Sequence, residues 1–358
     1  MTISAQYGLV DQIEYFDKIV ASDSLINYYL LYNGEFAYNK SYSNGYPFGA
    51  VKRLDNYEHG AISTLYICFK VNDKMNSDLL NEYFETDKWY KEIYKIAVEG
   101  ARNHGLLNIA VGDFFNTKHI LPTNPKEQEK LAKFFIEINR KIGLLEKKHQ
   151  AFLDFKKYLM QQIFTQKLRF DFTYEWDKYL LGDISTIGKG FTPSTSNPDY
   201  WEGNLKWLSI ADMNQGKYIN QTTKKITFEG SKNKEPIKKG TLLMSFKLSI
   251  GKLGILNEDM YTNEAICNFQ WKNKKIMTEY MYYYLSSINI LKYGSQAAKG
   301  ITLNNETLST IPVLLPSIEE QNKIIDILSN LDLKINMLEN IIKITSKFKK
   351  GLLQQMFV

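Results

Sequence analysis

EQEKLAKFFIEINRKIGLLEKKHQAFLDFKKYLMQQIF occupies residues 127–164, and EQNKIIDILSNLDLKINMLENIIKITSKFKKGLLQQMF occupies residues 320–357. The two stretches stay in register without a gap for 38 residues, at an offset of 320 − 127 = 193. Agreement is best at the far ends, where KKYLMQQIF and KKGLLQQMF share six of nine residues. Self-similarity over that length is a duplication, and it decides the architecture. Each copy reads as one long helix. Steps of seven from Leu131 give Ile138, Leu145, Phe152 and Leu159, with a companion row of Phe135, Ile142, His149, Lys156 and Ile163. The second copy repeats this with Ile324, Leu331, Leu338, Thr345 and Leu352, accompanied by Leu328, Ile335, Ile342, Lys349 and Met356. Two such rows per heptad form a coiled-coil seam. A helix of about 58 Å, at ~1.5 Å per residue, outruns a small domain, so the economical partner of each copy is the other. Pro122 and Pro125 mark the start of the first helix, and Pro312 and Pro316 the start of the second.

The stretches ahead of the helices are related more loosely. YNGEFAYNKSYSNGYPFGAV from Tyr32 and IKKGTLLMSFKLSIGKLGIL from Ile237 share a rhythm of turn glycine, apolar strand, polar Gly/Ser loop and second strand. STLYICFKV and NEAICNFQW then place Cys68 and Cys267 at matching strand positions, as core thiols. Helical stretches such as NEYFETDKWYKEIYKIA and MTEYMYYYLSSINIL make each lobe α+β. The predicted plan is therefore two related α+β lobes at 1–125 and 165–318, each followed by a long helix, at 126–164 and 319–358, the helices pairing antiparallel. Gly240 follows Trp176 by 64 residues, whereas Gly34 has 33 residues before it. The first lobe is thus expected to be short at its N-terminal side, as a clipped or a naturally short form.

Composition narrows the function classes. The net charge is +6, yet residues 1–125 hold 11 Lys/Arg against 15 Asp/Glu, so any phosphate contact there must come from a local patch. Two lone cysteines, no apolar run of membrane-spanning length and no secretory N-terminus point to a cytoplasmic protein. His59, His104, His119 and His149 are scattered without metal-ligand spacing, and neither a phosphate loop nor a GxSxG elbow occurs. NPDY, residues 197–200, approaches the tetrapeptide of amino-methyltransferases, with Gly188-Lys189-Gly190 upstream. The pair fails physically: too few residues lie between them for the crossover a parallel sheet needs, and Asp199 stands where proline is required. GFTPSTSNPDYWEGN reads instead as a surface loop anchored by Trp201 and Trp207.

Three features together resemble the specificity (S) subunit of type I restriction-modification enzymes. They are the duplicated lobe-plus-helix plan, the helix entries LPTNPKEQEKLA and LLPSIEEQNKII, and the opening LGDISTIGKGFTPS…YWEGNLKWLSIADM of the second lobe. The resemblance spans essentially the whole chain and departs from the pattern in the short first lobe. It implies a non-catalytic subunit in which each lobe is a target recognition domain for one half of a split, asymmetric double-stranded DNA sequence. It further implies two docked methyltransferase (M) subunits and restriction (R) subunits that carry out methylation and cleavage with AdoMet, Mg and ATP. The rival reading is a coiled-coil adaptor that binds protein alone.

Candidate DNA contacts follow from polar loops bounded by glycine. The first lobe offers Lys40, Ser43, Asn44, Tyr46, Lys52 and Arg53, then Arg102, Asn103 and His104. Arg and Asn read guanine and adenine edges bidentately, and Lys40, Lys52 and Arg53 are assigned to phosphates. The second lobe offers Lys189, Thr192 and Ser194 in its opening loop, Lys247, Ser249 and Lys252 in the loop matching residues 40–49, and Gln296 and Lys299.

Overall fold

The computed structural model describes residues 1–358 except 18–25, 98–104, 106, 171–173, 248, 298–299 and 358. Its elements divide into two units, Met1–Lys148 with Leu338–Val358, and His149–Met337. The long helices run Pro125–Phe164 and Ile318–Met356, so each begins in one unit and ends in the other. Asn124 caps the first, accepting from the Lys126 amide at 3.0 Å, with Pro125 at the first helical position. Ser317 caps the second, accepting from the Glu320 amide at 3.3 Å. Pro312 is no helix signal: it opens the strand Pro312–Leu315. Every seam residue read from the heptads is buried or half-buried.

The centre of the first unit is an antiparallel sheet ordered Ala50–Arg53, Phe36–Asn39, Ile67–Phe69. Phe36 and Tyr38 point into a core with Tyr83, Phe84, Trp89 and Phe114, which Ala132 and Phe135 of the first long helix and Leu353 and Phe357 of the second complete. Ala37 and Ala50 face a smaller core with Ile3, Leu31 and Ile62. A sheet covered on both faces explains why this strand reads as a run rather than an alternation. The long helices pack antiparallel here: Phe135 stacks on Phe357, ring centroids 6.4 Å apart, and Asn139 and Lys349 meet on Glu82.

The second unit has the same sheet with two more strands. The order is Tyr218–Ile219, Leu253–Leu256, Leu242–Ser245, Ile266–Trp271, Ser185–Lys189. Its middle three strands repeat the three of the first unit, with Leu242 opposite Phe269 as Phe36 is opposite Phe69. That register corrects the reading of the cysteines. Ala37 pairs with Cys68 and Leu243 with Asn268, so the counterpart of Cys68 is Asn268. Cys267, opposite Met244, sits one residue along and therefore on the other face. Cys267 is fully buried in the main core, and burial raises its thiol to about 12. Cys68 lies half-buried against the smaller core, and burial, then Glu35, raises it to about 11. The helices again pack antiparallel, Lys156 against Asp332 at 2.5 Å and Arg169, just past the first helix, against Glu320 at 3.0 Å.

Candidate nucleic-acid interface

Each lobe is fixed to a helix entry by the same clamp. The Gln128 side chain accepts from the Asn76 amide at 2.7 Å and donates to the carbonyls of Lys74 and Pro122 at 3.2 and 2.7 Å. Gln321 does the same with Met277, Lys275 and Pro316 at 3.0, 3.0 and 2.9 Å. Both glutamines are buried. A buried amide that satisfies one backbone donor and two acceptors gives the P…EQ signature its physical content. The neighbouring glutamates differ. Glu320 is buried under Trp176 Nε1 and Arg169, while Glu127 is exposed.

In the first unit, Ser43 and Tyr46 close a tight turn through two backbone hydrogen bonds, 3.2 and 2.8 Å, with Gly45 at φ +82°. Asn44 is exposed at its tip. The Tyr42 amide donates to Gly105 and the Leu107 amide to Lys40, so the chain flanking the second polar loop lies against this hairpin. Arg102, Asn103 and His104 themselves lie outside the described residues. Two phosphate assignments are corrected. Lys52 is buried, ion-paired with Glu85 at 2.5 Å and set over the Tyr46 ring at 5.1 Å. Arg53 is held between Asp55 and Asp78 at 2.6 and 2.8 Å and donates to Ser77. Lys52 props the hairpin from within, and Arg53 ties the far end of its strand to the start of the helix Ser77–Phe84, because a desolvated cation goes to the carboxylates that compensate it.

In the second unit the sheet register gathers the loops. Lys189 pairs with Cys267 and Cys267 with Met244, so the segments after Lys189, after Ser245 and before Ile266 all leave one end of the sheet. Lys189 and Lys247 are exposed there. Thr192 accepts from Asn263 Nδ2 at 3.1 Å and donates to Glu264. Ser194 bonds Ser196, and Trp201 and Trp207 donate their indole N–H groups to the carbonyls of Ser194 and Phe191 at 3.1 and 2.9 Å. The tryptophans thus anchor the opening loop as the sequence suggests. Ser249 is exposed and Lys252 donates to Asn214 at 2.9 Å. Gln296 lies in the strand Ser295–Ala297 with its side chain outside the description, as is Lys299.

Sequence reasoning passed over Asn263, Glu264 and the lysines at 224–239, which lie outside the glycine-bounded loops it searched. A count of lysines along KKITFEGSKNKEPIKK is the signal that finds the latter. Among the described residues no group of three or more His, Cys, Asp or Glu could hold a metal, and no helix is long and apolar enough to cross a membrane.

Residues 174–346 match the family described as the type I restriction modification DNA specificity domain. Over 175 residues the chain is 31% identical to the type I restriction enzyme MjaIX specificity subunit of Methanocaldococcus jannaschii, covering 46% of this chain and 39% of that protein. The chain thus spans about two fifths of that relative's length. A longer match, 24% identical over 316 residues, joins 81% of this chain to 70% of the MjaVIII specificity subunit from the same organism. The type I restriction-modification system S subunit from M. genitalium superposes with a TM-score of 0.55 at 14% identity, over 92% of this chain and 84% of that one, which shows a shared fold. With its duplicated helices, its twice-built glutamine clamp and these matches, the chain is similar to type I restriction-modification specificity subunits, and its residues 174–346 carry their DNA specificity domain.

Proposed function

We propose that this chain is the non-catalytic, DNA-reading subunit of a type I restriction-modification complex, with one unit for each half of a split, asymmetric target. The observation that carries the reading is the pair of equivalent sheets, each sending polar loops from one end while the loop residues differ. Equivalent scaffolds with divergent loops suit two different half-sites. AdoMet, Mg and ATP belong in this reading to partner subunits, two M subunits and the R subunits, in the cytoplasm. Partner docking is supported by apolar side chains that both units leave exposed on the second helix, Leu333 and Met337 in one and Ile341, Ile344 and Phe348 in the other.

The test is duplex binding by the full chain, titrated with salt, followed by mapping of methylated motifs when M subunits are co-expressed. A DNA reader loses affinity steeply as salt rises and imposes one bipartite motif. Binding of M subunits without duplex affinity and without any motif favours the adaptor. Transfer of a labelled methyl group by the chain alone refutes the non-catalytic assignment.

A further inference from the structure

Beside its main sheet the second lobe builds a small aromatic platform. Trp207, Ile226 and Tyr261 form its buried centre, with Phe191, Trp201 and Leu205 packed against it. Trp201 meets Trp207 edge-on at 5.1 Å, and Phe191 meets Tyr261 at 5.9 Å. The indole bonds to Ser194 and Phe191 seat the opening loop on this cluster, so Lys189, Thr192 and Ser194 are carried by it.

Around the platform lies the segment 224–239, with six lysines against two glutamates. Lys234 Nζ sits 4.5 Å from the Phe191 ring centroid and Lys224 Nζ 5.3 Å from that of Trp201. Stacking on a ring orients an ammonium without spending its N–H donors. Lys225 and Lys232 are exposed and meet no carboxylate among the described residues. The exposed acids Glu202, Glu229 and Glu235 take no ion pair with the four lysines either. An open cavity of about 620 Å³ runs along Trp201, Glu202, Gly203, Asn204, Thr223, Lys224 and Lys225. Its floor is a bulge: the register with Lys224–Ile226 shifts between Trp201 and Leu205, Glu202 adopts φ +60°, and a Cβ on Gly203 would lie 2.4 Å from the Ile226 carbonyl oxygen. A bulge of this kind re-aims a side chain, here Trp201, at the cost of local strain.

We infer that this platform is a second DNA contact of the unit, a grip on backbone phosphates by Lys224, Lys225, Lys232 and Lys234 beside the reading loop. The inference rests on the DNA-reading proposal and adds to it a site none of whose lysines belongs to the glycine-bounded loops. DNA backbone fits because the unspent cations are spread around aromatics over an open surface. A compact anion would want them converging in an enclosed pocket. Phosphate contacts position without carrying sequence information.

The experiment compares the full chain with Lys225→Ala/Lys232→Ala and with Lys224→Gln/Lys234→Gln, on target and scrambled duplexes across salt. Lys141→Ala/Lys147→Ala/Lys148→Ala, on the first long helix, is the control. Each lost phosphate contact is expected to lower the slope of log K against log salt by about 1, alike on both duplexes, with the methylated motif unchanged. If the stacked-lysine pair proves unfolded, the first variant carries the test, since it removes no internal ion pair. A parent that binds steeply while both variants keep its slope overturns this inference alone. Loss confined to the target duplex overturns the phosphate role in favour of base reading. A parent without duplex affinity overturns the DNA-reading proposal and the platform with it.

Discussion

The two lobe–helix junctions solve one problem in two ways. In the first unit the seam residue Lys349 enters beside buried Glu82 at 2.8 Å, and Asn139 of the first helix donates to the same carboxylate at 2.6 Å. In the second unit Lys156, at the equivalent position since 349 − 156 = 193, pairs with Asp332, to which the Tyr283 hydroxyl donates at 2.6 Å. Asp332 is in turn the equivalent of Asn139, since 332 − 139 = 193. The lysine has kept its place in both copies, while the carboxylate stands on the lobe in one and on the helix in the other. A half-buried ammonium needs one carboxylate within reach and is indifferent to which element supplies it.

Moving the carboxylate is the strongest way to break this equivalence. Glu82→Gln leaves Lys349 uncompensated and is expected to cost about 3–5 kcal/mol in urea unfolding. Glu82→Gln/Asn139→Asp puts the charge where the second unit has it and is expected to recover most of that loss. No recovery would mean that the junctions are alike in sequence position and not in physics. The glutamine clamps sharpen the comparison from the other side. Gln128→Leu and Gln321→Leu each strand buried backbone groups, at about 1–3 kcal/mol per group, and their losses should match. Their neighbours should not match: Glu320→Ala removes a buried partner of Trp176 and Arg169, and Glu127→Ala removes an exposed side chain. The smallest effect is with pH. His119, beside the Tyr83 hydroxyl at 2.9 Å, is pushed below its ordinary 6.5 by burial, with Glu92 opposing. The unfolded chain therefore binds the proton first as pH falls. Stability from neutral His119 is full above about 6.5 and declines below it, until the folded-state value is reached. His119→Gln should flatten that acid limb in a thermal-unfolding series, and an unchanged limb would assign it to other groups.

The heptads made the long helices and their pairing legible because a 3.5-residue repeat leaves a direct trace in side-chain type. They also contained Lys156 and Lys349, charged members of an otherwise largely apolar row, which are its ion-paired junctions. The related strands were visible in outline, but the cysteines were matched one residue out. A repeated letter carries no register, and the alternation of a strand turns one step into the opposite face. Glycine and hydroxyl content marked the polar loops, and in the second unit the register brings three of them to one end of the sheet. Lys52 and Arg53 were misjudged because a lysine beside a loop looks the same whether Glu85 lies behind it or solvent does.

The core of the first unit is closed by Leu353 and Phe357. Those residues leave the ribosome after every residue of the second unit, 149–337. The lobe that is synthesised first is therefore finished last. Through the whole of translation of the second unit, the face of Tyr83, Phe84 and Phe135 waits uncovered, an interval in which chaperones or proteases can reach it. The second unit, drawn from one uninterrupted stretch of chain, passes through no such interval.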